Sequence, residues 1–306
     1  MVKVAITKGN AYEATTKALK LTNFKKFILG KSRIAIKPNL SYAAPAKLGI
    51  TTDVNVVRAI LDQIPKPEKA IVVEGSAGPA KTNDAFEVCG YYELEKEYGV
   101  RILDLNHDEF INIPISEPMT LKGIEISKTV LDSDFVISVG KLKIHSIARI
   151  TATLKNMMGV CSKRQKLKIH AFIPRSLVDL ISVLMPDFGV IDGIVANEID
   201  EVVPHPIKMG IVLASKDCVA LDCVASEVMG IHPYNVPYLH EIILKELSID
   251  NLDEIEIIGE KIENLKRNFR IGGFNVRSRG QKFFGIMLNK TGLFSLLYPY
   301  VYKIFR

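Results

Sequence analysis

The chain has 306 residues, 48% hydrophobic and 24% charged, which suits one large α/β domain or two smaller ones and excludes a disordered chain. Its four cysteines, Cys89, Cys161, Cys218 and Cys223, lack metal-finger spacing and read as buried free thiols. The net charge of +6 is unevenly placed: nine bases and no acid lie between Asp134 and Asp179, and nine more bases and no acid follow Glu263.

In chain order, MVKVAITKGN opens as an alternating strand over 2–6 rather than as a signal peptide. A helical period follows over 11–20, a strand over 33–36, a helix over 54–63 and a strand over 70–73. Next come a helix over 84–97, a strand over 135–139, a helix over 148–158 and a helix over 174–184. The chain continues with strands over 189–191 and 209–214, helices over 217–229 and 237–247, and a strand over 254–258. Most strands are continuous apolar runs, as strands covered on both faces require. The pattern predicts an α/β fold: a largely parallel open sheet with helices on both faces, spanning 1–263, in one unit or two lobes. A basic, aromatic C-terminal extension follows over 264–306. No uncharged stretch is long enough to span a bilayer, so the expected location is cytoplasmic, or peripheral to a membrane.

The residues just after the strands carry the functional signal. RIAI runs into Lys37-Pro38-Asn39, AIVV into Glu74-Gly75-Ser76-Ala77-Gly78, FVISV into GKLKIH, and GVI into Asp192-Gly193. In open parallel sheets the carboxyl edge is where ligands bind. Lys37 would project from a strand end stiffened by proline, with Asn39 beside it; the alternative is a simple surface turn. Gly75, Ser76 and Gly78 permit a backbone anion cradle, although a structural strand-to-helix turn explains them equally well and no dinucleotide fingerprint is complete.

Lys141, Lys143 and His145 alternate after a buried strand and would share a side if the chain stays extended. A helix from 148 would set Thr151 and Lys155 four apart on one face, with Gly159 as its C-cap. Lys155 lies inside the apolar segment ITATLKNMMG, where a solvated role does not fit; Lys163, Arg164, Lys166 and Lys168 suit a solvated basic face. His145 and His170 are candidates for proton transfer, for metal ligation with a carboxylate such as Asp192, or for plain polar packing. Asp217 stands where a helix N-cap belongs. Asp222 falls inside the same helix.

The motifs KPN, GKLKIH, LKNMMG and SKDCVALD, in that order, resemble the family known as domain of unknown function 362, over roughly residues 2–259. The resemblance implies functional positions at Lys37, Asn39, His145, Lys155, Asn156, Gly159, His170, Asp192, Asp217 and Asp222. Many members carry a ferredoxin-like module; this chain has no such cysteine run, so no iron–sulfur cluster is expected in it. After Asp192 the family tends to glycine, whereas here the chain reads IVANEIDEVVPHP.

The leading expectation is an enzyme acting on a small carboxylate- or phosphate-bearing metabolite. Lys37, Asn39, Gly75, Ser76, Gly78, Lys141, Lys155 and Asn156 would bind it, and His145, His170, Asp192 and Asp222 would serve the chemistry. The association with ferredoxin modules implies redox-linked chemistry fed by an external electron-transfer protein. The motifs assign neither a cofactor nor a metal. The alternatives are a nucleic-acid-binding module and a membrane-peripheral scaffold. The latter would be anchored by the tail, where apolar FFGIML and GLFSLLYPYVY favour a membrane or partner over nucleic acid.

Overall fold

The computed structural model describes residues 1–76, 81–245 and 252–272. Its central sheet is assembled from strands β1 (Val2–Lys8), β2 (Ile34–Pro38), β3 (Ala70–Glu74) and β4 (Arg101–Asp104). Further along the chain, β5 (Phe110–Pro114) and β6 (Gly123–Ser127) form a separate hairpin. The main sheet is completed by β7 (Phe135–His145), β8 (Arg149–Thr151), β9 (Phe188–Asn197), β10 (Pro206–Ser215) and β11 (Ile255–Gly259). The spatial order is β11-β1-β10-β9-β7-β2-β3-β4, with β8 folded back on β7. Strands β9, β7, β2, β3 and β4 run parallel in succession, as do β1 and β11, while β10 is antiparallel to both its neighbours. The largely parallel α/β architecture expected from the sequence is therefore present.

Helices cover both faces, and the core is accordingly double. On one face α1 (Ala11–Leu21), α2 (Phe24–Ile28), α3 (Val54–Leu61), α4 (Thr82–Val88) and α5 (Glu93–Tyr98) bury Leu19, Phe24, Ile60, Phe86 and Leu94 against Ile36, Val72 and Val190. The short α6 (Lys128–Leu131) precedes β7. On the other face α7 (Thr153–Asn156), α8 (Lys163–Ala171), α9 (Arg175–Val183), α10 (Cys218–Val228) and α11 (Pro237–Leu244) pack Leu154, Ile169, Leu180, Leu221 and Leu239 onto Ile6, Ala35 and Ile191. Burial on both sides is why β2 and β7 read as unbroken apolar runs.

Several boundaries differ from the sequence reading. The helix expected over 84–97 is two helices, broken at Gly90, whose φ of 75° is left-handed. The expected helix over 148–158 instead begins as strand β8, paired with β7 through Ile144 and Ile150, and turns helical only at Thr153. Strand β7 extends to His145, so the Lys141–Lys143–His145 segment does stay extended. Residues 264–272, assigned to the extension, are in contact with the body. Leu265 and Phe269 are buried, and Ile271 bridges Ile199. Gly78 and the remainder of the tail lie outside the described residues. Among the described residues, no helix is long and apolar enough to cross a membrane.

Candidate functional site

Because β2, β3 and β7 are parallel, their carboxyl ends share one edge of the sheet. Lys37 leaves β2 there, Glu74 ends β3, and β7 overshoots its pairing with β2 to carry Lys143 and His145 beyond the edge. The β7–β8 hairpin, α7, α8 and the 198–205 loop close around these ends. They enclose a cavity of about 120 Å³, against about 10–15 Å³ for one water on that measure. Lys37, Lys143, Lys155 and Lys166 line it together with His145 and His170, and the carboxylates in its wall are Glu74 and Glu201. The acid-free stretch of sequence thus supplies three of the four lysines and both histidines of the cavity wall.

The four lysines are not equivalent. Lys37 Nζ forms an ion pair with Glu74 at 2.8 Å and donates to Asn156 Oδ1 at 2.9 Å and to the Pro38 carbonyl at 3.0 Å. Its three protons are spent on the protein. Asn156 is likewise fully committed: Oδ1 also accepts from Asn39 Nδ2, and Nδ2 donates to Lys37 O and Ser138 Oγ. Lys37 and Asn156, expected as ligand-binding residues, line the cavity as its floor with their hydrogen-bonding groups already engaged by the protein. Gly159 belongs to this floor. A Cβ there would sit 2.6 Å from Glu74 Oε1 and collide with Lys37, so the glycine serves close approach rather than the expected helix cap.

Lys143 donates to the carbonyls of Ile50 at 2.8 Å and Glu201 at 3.4 Å, and Lys166 to Gly75 O at 2.7 Å and Asn106 Oδ1 at 3.1 Å. As an ammonium, each keeps one N–H unspent. Lys155 differs from all of these: among the described residues its ammonium has no hydrogen bond and no ion pair. Burial lowers the pKa of Lys143 to about 7, reinforced by the Lys155 charge, and that of Lys155 to about 8; the Glu201 carboxylate opposes both shifts. Burial likewise lowers Lys166 to about 8.

The histidines have complementary tautomers. His145 Nδ1 accepts the backbone N–H groups of Ile147 at 3.1 Å and Ala148 at 3.2 Å, so its proton is on Nε2. His170 Nδ1 lies 2.8 Å from the Lys166 carbonyl, which requires the proton on Nδ1 and leaves Nε2 with a lone pair. Burial and then the Lys155 charge depress both pKa values, that of His145 well below its usual range. His145 is thus built as a neutral N–H donor and His170 as a neutral acceptor. Two wall atoms, Asn39 Oδ1 and Thr151 Oγ1, are buried without a partner among the described residues.

Other expected site residues are placed elsewhere. Lys141 is wholly buried in an ion pair with Asp192 at 2.7 Å, and Asp192 also accepts the backbone N–H groups of Asp53 and Ile194. Lys141 does not line the cavity, and the β7–β9 pairing shifts register between Lys141 and Lys143. Asp222 accepts from Thr153 N at 2.8 Å, Thr153 Oγ1, Leu154 N and Tyr238 Oη, clamping the start of α7 outside the cavity wall. Ser76 is engaged with Leu40 O and Thr82 Oγ1, whereas Gly75 does line the cavity. Asp217 caps α10 through the N–H groups of Val219 and Ala220. Among the described residues, no three His, Cys, Asp or Glu side chains are grouped to hold a metal ion.

Lys166 corrects the solvated reading outright, being 3% exposed, while Lys163, Arg164 and Lys168 are exposed as expected. The Lys166–His170 spacing of four, one face of a helix, was the signal that could have found it. Glu201, whose carboxylate accepts from Ser146 N and Oγ, had no such signal. Its loop begins at Ile199, a β-branched residue at φ 71°, held by Arg270 O and Gly272 N.

The sequence model of a family described as "Domain of unknown function (DUF362)" matches residues 34–227. A thylakoid-associated protein, sll1697, of Synechocystis is 24% identical, the match covering 78% of each chain. Among solved structures, the lactate racemase apoprotein of Thermoanaerobacterium thermosaccharolyticum superposes with a TM-score of 0.50 at 15% identity, over 76% of this chain. The match spans 58% of the racemase chain, and the likeness is one of fold.

Proposed function

The chain belongs to the DUF362 family, and from that premise we propose that it is an enzyme acting on a small carboxylate-bearing metabolite bound at the carboxyl edge of the sheet. The observation that carries this reading is the surplus of unspent donors in the cavity. Lys155 offers three N–H groups, Lys143 and Lys166 one each, and His145 its Nε2–H, against carboxylates already engaged by Lys37 and Ser146. Charge-assisted hydrogen bonds contribute about 1.5–3 kcal/mol each, so two or three of these donors hold a carboxylate firmly. His170 Nε2 then serves as the proton acceptor and His145 Nε2–H as the donor facing developing negative charge. The name of the racemase that shares the fold, which refers to a small hydroxy acid, agrees in scale with this cavity.

The test is a thermal-shift and calorimetric series at low salt with oxalate, lactate and inorganic phosphate, on wild type and Lys155→Met. A small carboxylate should raise the melting temperature of wild type and leave the variant unmoved. No response to any of the anions, or an equal response from the variant, would refute the reading.

A second reading concerns location. The name of the Synechocystis relative and the basic, aromatic composition after residue 272 favour a peripheral membrane contact. Flotation with anionic liposomes should separate the full chain from a truncation after Gly272, which spares the buried Leu265 and Phe269. Equal behaviour of the two would dismiss the contact.

A further inference from the structure

The carboxylate reading uses Lys155 only as a donor, yet among the described residues it is the cavity lysine without a hydrogen bond or ion pair, whereas a lysine that only holds an anion would sit well beside a fixed acceptor. Lys143 and Lys166 do: backbone carbonyls hold them, and each points one remaining N–H inward. Lys155 has no such tether, and its amine shares the cavity with His145, His170 and the unpartnered Thr151 Oγ1.

We propose that Lys155 is a nucleophile that forms an imine with the carbonyl carbon of a small 2-oxo acid, whose carboxylate is seated on Lys143 and Lys166. The proposal rests on the carboxylate-site reading and deepens it by naming the substrate class.

The chemistry balances without an oxidant or reductant. The Lys155 Nζ lone pair attacks the keto carbon, forming the C–N bond, and the carbonyl π pair moves to oxygen, where the His145 Nε2–H stabilises it. The new ammonium loses a proton to His170 Nε2, which passes it to the alkoxide to give the carbinolamine hydroxyl, and a second proton, taken up from solvent water through His170, turns that hydroxyl into a leaving water. The C–O bond then breaks, water leaves, and the nitrogen lone pair forms the C=N bond of a protonated imine.

Attack needs the free amine, and the cavity supplies it. Burial brings the Lys155 pKa down to about 8, against the opposing pull of the Glu201 carboxylate and with a smaller push from the Lys37 cation, the environment that makes a lysine nucleophilic near neutrality. Lys37 itself is saturated by Glu74, Asn156 and Pro38, so it acts as a fixed charge without competing for the carbonyl. The imine draws electron density from the neighbouring carbon, so the reaction class is bond cleavage or proton exchange adjacent to the former ketone.

The experiment uses the full chain with pyruvate or glyoxylate and sodium cyanoborohydride, followed by intact-mass measurement and peptide mapping. Wild type should gain the mass of one reduced keto acid on the peptide carrying Lys155, with labelling rising as pH passes through about 8 and suppressed by oxalate. Lys155→Arg, which keeps the charge and cannot form the imine, should lose the label. If oxalate raises the melting temperature but no label reaches Lys155, or Lys155→Arg labels like wild type, the imine is overturned and the carboxylate site stands. If neither oxalate nor pyruvate binds, both fall together.

Discussion

Lys37 and Lys155 are lysines on one cavity wall with opposite chemistry, because one has spent every donor and the other none. Removing Glu74 exposes that contrast. Glu74→Gln leaves a buried ammonium without its counter-charge and should cost about 3–5 kcal/mol of unfolding free energy. Lys155→Met replaces a desolvated, unpartnered amine by an apolar side chain of similar length and should leave stability unchanged or raise it. Urea unfolding of both variants checks the pair; equal losses would mean that Lys155 has a partner. The sequence told these two lysines apart only in part. The position of Lys37 after a strand and of Lys155 within an apolar segment marked both as notable. That Lys37 is saturated depends on Glu74 and Asn156, which are brought together from 37 and 119 positions away in the chain.

At the scale of the element, the short helix α7 owes its position to a carboxylate on another helix. Asp222, on α10, takes the N–H groups of Thr153 and Leu154 and thereby aims Lys155 into the cavity without reaching it. Asp222→Ala leaves these buried groups unpaired, each at about 1–3 kcal/mol. The expected outcome is lost hydrogen-exchange protection at residues 153–156 and weaker oxalate binding; retained protection would show that packing alone fixes α7. The sequence signal of this element is ambiguous for a physical reason. ITATLKNMMG is apolar throughout, and periodicity cannot divide such a run into strand and helix. The division is made by the hairpin, where Arg149 takes φ 74° and Ile150 pairs with Ile144. Helix α8 escaped for the opposite reason. Its buried side is Gln165, Lys166 and Ile169 while Leu167 is exposed, so it carries no apolar stripe for a sequence pattern to reveal. Strands β2, β3, β7 and β9 were legible because burial on both faces writes a continuous apolar signature.

For the molecule as a whole, concentrating cations in one cavity should make stability and the affinity for the proposed carboxylate respond to pH in opposite directions. Lys143, Lys155 and Lys166 titrate near 7, 8 and 8 when folded, against 10.5 for an ordinary lysine, so the unfolded chain binds more protons across that interval. Stability must therefore rise as pH climbs above about 7, because unfolding takes up protons there. The depressed histidines act in the same sense at lower pH: their contribution is present above 6.5 and is lost as pH falls through their folded values. Asp222 opposes them, since burial raises its pKa to about 6 and its contribution fades between 3.8 and that value as pH rises. The alkaline side is bounded by the thiols. Cys161 is held up to about 12 by burial while an unfolded cysteine ionises near 9, so unfolding regains its advantage beyond that point. The free protein should accordingly gain several degrees in melting temperature between pH 7 and 9. Over the same interval the stabilisation by oxalate should shrink, because the ammonium groups that hold it are being lost. Thermal melts with and without oxalate at each pH read both slopes, and in Lys155→Met the rise without ligand should be smaller. A melting temperature that falls steadily from pH 7 would mean that the cavity lysines are not depressed, and the picture of a crowded, partly neutral amine cluster would go with it.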